Sequence, residues 1–172
     1  MTVSDLQRLY DYGYWANARL LEAVSRLTPE QFTQPVAGSY ESIRNTLVHM
    51  MSAEWGWCAR CGGPPRGPAL DPANFPTLES VTGTWRQVEA AVRAFLQSLG
   101  DADLDRMVVF QLPPLMPEPR AIPLGHLMQH AAVHAVHHRG QVALLLRMLG
   151  QAPGNVDVLF YDAARAAPMQ PL

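Results

Sequence analysis

Residues 124–149, LGHLMQHAAVHAVHHRGQVALLLRML, contain no proline, and Gly140 is the only glycine beyond the first turn. Pro123 stands where a first helical residue tolerates proline, and Gly150 where a helix commonly ends. The stretch predicts one helix of about 40 Å at 1.5 Å per residue. Stepping by four and three puts Leu127, Ala131, His134, His138, Gln141, Leu145 and Met148 on one seam. That is the face a bundle helix buries. Two of its central positions are imidazoles, where leucine would pack at lower cost.

A buried imidazole needs partners for both ring nitrogens. His134 and His138 are four residues apart, so their rings share a face one turn apart and can chelate one metal ion. The competing reading is a pair of core histidines bonded to neighbours. A four-step ladder, His126, His130, His134 and His138, favours the metal. Each step of four drifts about 40°, so His126 falls about 120° round and about 18 Å along from His138 and cannot share its ion. His130 with His134 is a rival pair, and His137 sits off the seam as a flanking group.

A chain of 172 residues suffices for one domain, taken as 1–172. The 48% hydrophobic and 16% charged composition indicates a globular chain. A net charge of -2 argues against nucleic-acid binding. No apolar run approaches membrane-spanning length, and MTVSDLQRLY lacks a signal-peptide pattern, so a cytoplasmic protein is expected. All 13 basic residues are arginine, which removes lysine bases and Schiff-base chemistry. Cys58 and Cys61 form a lone CxxC at a predicted helix end, where the dipole raises thiol pKa and no second pair completes a four-cysteine site.

Ser4 to Gln7 reads as a capping box opening a first helix over about 5–27, with Tyr10, Tyr14 and Trp15 as core aromatics. Thr28-Pro-Glu-Gln31 starts a short turn. A second helix over about 40–58 places Ile43, Leu47, Met50, Glu54 and Trp57 on one face. His49 lies about 120° from Ile43 on that wheel, at the margin. Glu54 is the inward carboxylate, beside a ligand or paired with arginine. A Pro/Gly-rich connection over 62–76 runs the bundle's length and borders an opening. A third helix from near Thr77 to Gly100 buries Val81, Trp85, Val88, Val92, Phe95 and Leu99. Residues 107–110 and 120–122 pair as a short ribbon around a proline-rich turn. The segment 151–161 is extended and packs back, and the final residues are loose. The elements predict an all-α four-helix bundle with a short β-ribbon before the last helix.

His134-Ala-Val-His137-His138-Arg139-Gly140-Gln141, continuing to Gly150 and Gln-Ala-Pro-Gly-Asn-Val-Asp157, is similar to the signature of the DinB/YfiT-like superfamily. Residues 12–17 and Ser42-Ile-Arg-Asn-Thr-Leu-Val-His49 also resemble it, and the likeness keeps element order over nearly the whole chain. The resemblance implies up-down-down-up topology, often a homodimer, and a divalent metal, commonly nickel or zinc, on three histidines. By position these are His49, His134 and His138. Val133 departs from the asparagine many members carry before the first histidine of this motif, a departure that bears on a hydrogen bond beside the ligands and not on the ligands themselves. Members with assigned activity are thiol S-transferases and metal-dependent isomerases or hydrolases, and the family name derives from DNA-damage induction.

Three imidazoles leave an open coordination position, as in catalytic sites. The expected function is a metal-dependent thiol S-transferase or hydrolase taking a small-molecule thiol and an electrophile. The alternative is a non-catalytic metal-binding stress-response or interaction protein. Glu54, Asp11 and Tyr14 are the candidate acid/base groups.

Overall fold

The computed structural model describes residues 1–36, 40–65 and 67–166. Its elements are α1 (Val3–Val24), α2 (Pro29–Thr33), α3 (Ile43–Arg60), α4 (Leu78–Ser98), β1 (Met107–Leu112), β2 (Met116–Pro123), α5 (Leu124–Met148) and α6 (Val158–Arg165). The four long helices form the up-down-down-up bundle. Going round it, α1 packs on α5, α5 on α3, α3 on α4 and α4 on α1. The long connection from α3 to α4 carries a 3₁₀ turn at Pro72–Asn74. Among the described residues, no helix is long and apolar enough to cross a membrane.

Helices α1 to α4 each start at a side-chain cap, and two caps differ from expectation. The box opening α1 is Thr2 with Asp5, not Ser4 with Gln7. Thr2 accepts from the Asp5 amide at 3.1 Å and its own amide donates to the Asp5 carboxylate at 2.8 Å. The earlier start brings Val3 into the core. The helix ends at Val24, because the Thr28–Gln31 box begins α2 only four residues on. Likewise α3 starts at Ile43, because the Ser42 hydroxyl caps the Asn45 amide at 3.0 Å. Just before it Glu41 takes φ 66°, a left-handed conformation unusual for a side chain with a Cβ.

The ribbon pairs antiparallel, Val108 with Ile122 and Phe110 with Arg120, and closes over the bundle where Phe110 meets the Trp57 ring edge-on at 5.3 Å. The α5 seam holds at Leu127, Ala131, His138 and Leu145 but fails at Met148, which is 70% exposed. A strict seven-residue repeat drifts about 20° per heptad on a straight helix, so three heptads carry Met148 out of the core.

The segment after Gly150 is only partly extended. Residues 158–165 form α6, and of its apolar side chains Tyr161 alone is buried, against Tyr12 and Trp15, while Val158, Leu159 and Phe160 stay exposed. The chain end expected to be loose lies outside the described residues.

Candidate metal centre

His49 comes from α3, and His134 and His138 come from successive turns of α5, the neighbour of α3. His134 Nε2 stands 3.0 Å from His49 Nε2 and 3.1 Å from His138 Nε2. The three form a group whose ligand atoms all lie within 4.8 Å of one another. His49 and His134 are half-buried and His138 is buried. The spacing places His49 at the margin of its helix, and it is indeed half-exposed. That margin faces α5, so the position matched by resemblance joins the pair found by spacing.

The donor chemistry fits a cation better than a proton network. His138 Nδ1 lies 2.7 Å from Gln141 Oε1, a carbonyl oxygen that can only accept, so Nδ1 carries the proton. A neutral imidazole has one N–H, so His138 Nε2 presents a lone pair to the cluster. One N–H on His134 can satisfy a single neighbour, whereas a cation satisfies all three nitrogens together. Nitrogens bound at about 2.0–2.1 Å to one ion stand roughly 2.8–3.4 Å apart at angles of about 90–109°, which spans the two contacts seen.

Electrostatics act in the same direction. Burial pushes His49 and His134 down to about 4, with the other histidines adding to the effect. Burial also lowers His138, against the Gln141 hydrogen bond that raises it. At neutral pH all three rings are neutral, the form that binds metal.

Surrounding groups orient the rings. Gln141 reaches His138 with its oxygen and His137 Nε2 with its nitrogen at 3.2 Å, so His137 is a flanking residue as its spacing suggests. Val133 is exposed, and the ligand hydrogen bond comes from Gln141 instead. His130 does not join the cluster. Its ring stacks on His134 at 5.7 Å and meets Trp57 edge-on at 5.1 Å. Tyr40 lies flat over His49, centroids 3.8 Å apart at 16°, and edge-on to His138 at 5.3 Å.

A cavity of about 370 Å³ opens beside His49, between Tyr40, Glu41 and Asn45 on one side and Ala69 and Leu70 on the other. The last two belong to the Pro/Gly-rich connection, which the Leu70 amide ties to Ser52 Oγ at 3.2 Å. The connection thus borders an opening, as its length suggests. A cavity of about 380 Å³ between α1 and α4 carries no histidine, so the chemistry points to the one lined by His49.

The acid/base candidates lie elsewhere. Glu54 faces inward and accepts from Tyr14 Oη at 2.5 Å and Trp85 Nε1 at 2.9 Å, with no histidine among its partners. Asp11 pairs with Arg93. Cys58 and Cys61 are free and buried, and burial raises them to about 12 and about 11.

A helical bundle with three converging imidazoles beside an open cavity defines a class of protein with a histidine group that could bind a metal ion. The chain belongs to the DinB family, whose profile matches residues 1–170. It is 23% identical over 161 residues to Protein DinB of Bacillus subtilis strain 168, covering 90% of this chain and 91% of that protein. It is 22% identical over 154 residues to the uncharacterized protein YizA of the same strain, covering 90% and 94%. The crystal structure of a DinB-like protein from Bacillus cereus ATCC 10987 shares the fold, with a TM-score of 0.73 at 21% identity, covering 91% of this chain and 98% of that one.

Sequence reasoning places Gln141 on the seam without giving it a role, and passes over Tyr40. Gln141 carries a signal, since a side chain three residues after a helical ligand lies on the ligand's face. Tyr40 carries none, because a backbone turn at Glu41 aims its ring.

Proposed function

We propose that this chain is a metal-dependent enzyme that binds a divalent cation, nickel or zinc, through His49, His134 and His138. On this reading it is a thiol S-transferase or hydrolase acting on a small-molecule thiol and an electrophile. The observation that carries the reading is the convergence of three neutral imidazoles, with the His138 proton held away from the cluster by Gln141. A divalent cation there would supply Lewis acidity, easing proton loss from a thiol or water brought to it. Protein groups do the rest. Gln141 fixes the His138 ring, Tyr40 shields one side of His49, and the adjoining cavity of about 370 Å³ admits the reactants.

A second reading is a non-catalytic metal-binding stress-response protein. It is favoured by the commitment of Glu54, Tyr14 and Asp11 to partners away from the triad. The test is elemental analysis of purified protein, then turnover of an electrophile with a low-molecular-weight thiol with and without added metal. Metal-dependent turnover lost in His138→Ala supports the enzyme. Tight metal binding without turnover supports the second reading, and absence of metal binding sinks both.

We place the protein in the cytoplasm as a homodimer. Val136, Leu144 and Met148, exposed on the outer face of α5, are the apolar surface that supports pairing. Light scattering of the wild type and of Leu144→Glu tests the dimer.

A further inference from the structure

Behind the triad a polar network crosses the bundle core. Glu54 of α3 accepts from Tyr14 of α1 and Trp85 of α4. Arg139 of α5 donates from Nη1 to Asn17 Oδ1 of α1 at 3.2 Å, and its guanidinium lies 5.3 Å from the Tyr12 ring centre. Glu54 is 8% exposed and Arg139 3%. Among the described residues, Arg139 Nε is buried without a hydrogen-bond partner, and a cavity of about 20 Å³ is lined by Arg139, Glu54, Tyr14 and Asn17, among others.

Such a network is a poor source of stability, because two buried charges cost more to desolvate than apolar side chains of similar volume. Its placement suggests another use. Arg139 directly follows His138, so a turn of about 100° points one toward α1 and the other toward α3. Glu54 lies five residues beyond His49, about 7.5 Å along the same helix. Tyr14 and Asn17 are three residues apart on one face of α1. Each ligand-bearing helix is thus fastened by a directional bond to one turn of a helix that supplies no ligand. Apolar contacts tolerate a slide of an ångström between helices, whereas the His49 and His134 Nε2 atoms, 3.0 Å apart across α3 and α5, do not.

We propose that Glu54 and Arg139 are positioning residues for the histidine triad, holding α3 and α5 against Tyr14 and Asn17 of α1 in the register that makes the three imidazoles converge. This rests on the metal-binding reading above, and the wild-type control separates the two.

The test uses the full chain, titrated with Zn²⁺ by calorimetry and with Co²⁺ followed by its visible absorption, which reports ligand number and geometry. Glu54→Leu with Arg139→Met removes both charges together and leaves neither orphaned. This double variant leaves Tyr14, Trp85 and Asn17 without these partners and is expected to melt below the wild type, yet, measured where it is folded, to bind Zn²⁺ about 10–100-fold more weakly with an altered Co²⁺ spectrum. Glu54→Gln alone, with Arg139 kept, is expected to retain wild-type binding and spectrum. Its amide oxygen can accept from Trp85, its amide nitrogen can donate to the Tyr14 hydroxyl oxygen, and that hydroxyl can turn to suit. A folded double variant with wild-type affinity and spectrum overturns the proposal. If the double variant does not fold, Tyr14→Phe carries the test, and unchanged affinity and spectrum there overturn it. A wild type that binds neither ion removes the metal reading itself and this proposal with it.

Discussion

Gln141 Oε1 accepts the Nδ1 proton of His138 at 2.7 Å, one turn along the same helix, and so decides which nitrogen of that ring faces the other two histidines. The bond acts on orientation and on tautomer together. Gln141→Leu is therefore expected to leave the bundle folded and weaken Zn²⁺ or Ni²⁺ binding about 10–100-fold, the usual cost of losing a partner that orients a ligand. His138→Ala is expected to cost more, because it removes a donor atom. Calorimetric titration of both variants checks the order. Equal affinities in wild type and Gln141→Leu would refute the orienting role.

The triad makes the metal-free protein sensitive to acid. His49 and His134 are pushed down to about 4 from the usual 6.5. Below pH 6.5 the unfolded chain takes up protons that the folded chain refuses. Stability from these two rings therefore falls as pH drops from 6.5 toward 4, and falls no further below that. Metal binding weakens in the same direction, since protons compete for the same nitrogens. Thermal melts in chelator at pH 7.5, 6 and 5 should show a decline that is shallower in His49→Leu. Parallel curves for the two proteins would contradict the assignment.

How far the site can be read from the chain depends on whether a residue is placed by helix geometry or by the way helices meet. The His134–His138 pair is legible because four-residue spacing on one helix dictates a shared face. His49 is not, because its role arises where the margin of α3 meets α5. The rods are legible from apolar periodicity, as Ile43, Leu47, Met50, Glu54 and Trp57 all reach the core. The helix 158–165 escapes notice because it buries Tyr161 alone, too little for a periodic stripe. The polar network escapes too, since neither Asn17 nor Arg139 betrays its partner by spacing.

The two cysteines should behave as protected thiols. Burial raises Cys58 to about 12 and Cys61 to about 11, so at pH 8 neither offers the thiolate that alkylating reagents attack. Iodoacetamide at pH 8 is expected to leave the native chain unmodified and to label both residues once it is unfolded, as read by intact mass. The same shifts set an alkaline limit. Above about pH 9 the unfolded chain releases thiol protons that the folded chain keeps, so stability falls as pH rises from there toward 11–12. Rapid native labelling at pH 8 would show the thiols to be open to solvent.

The turn that follows these cysteines has no room for a side chain. A Cβ at Gly63 would stand 2.4 Å from Cys58 Sγ, 2.9 Å from the Cys58 carbonyl oxygen and 3.2 Å from Phe95 Cγ. The sulfur is boxed in, and the carbonyl already accepts the Gly63 amide at 2.9 Å, so neither can retreat without disturbing the end of α3. Gly63→Ala is expected to cost about 1–3 kcal/mol, the range for overpacking a filled site. Gly67→Ala is the matched control, because a Cβ there meets nothing within 4 Å. Urea melts of the two variants should separate them clearly. Because His49 lies on the same helix far from that end, Gly63→Ala is expected to retain metal binding under conditions where it remains folded. Equal midpoints for the two variants would mean that the turn after α3 yields where its contacts say it is closed.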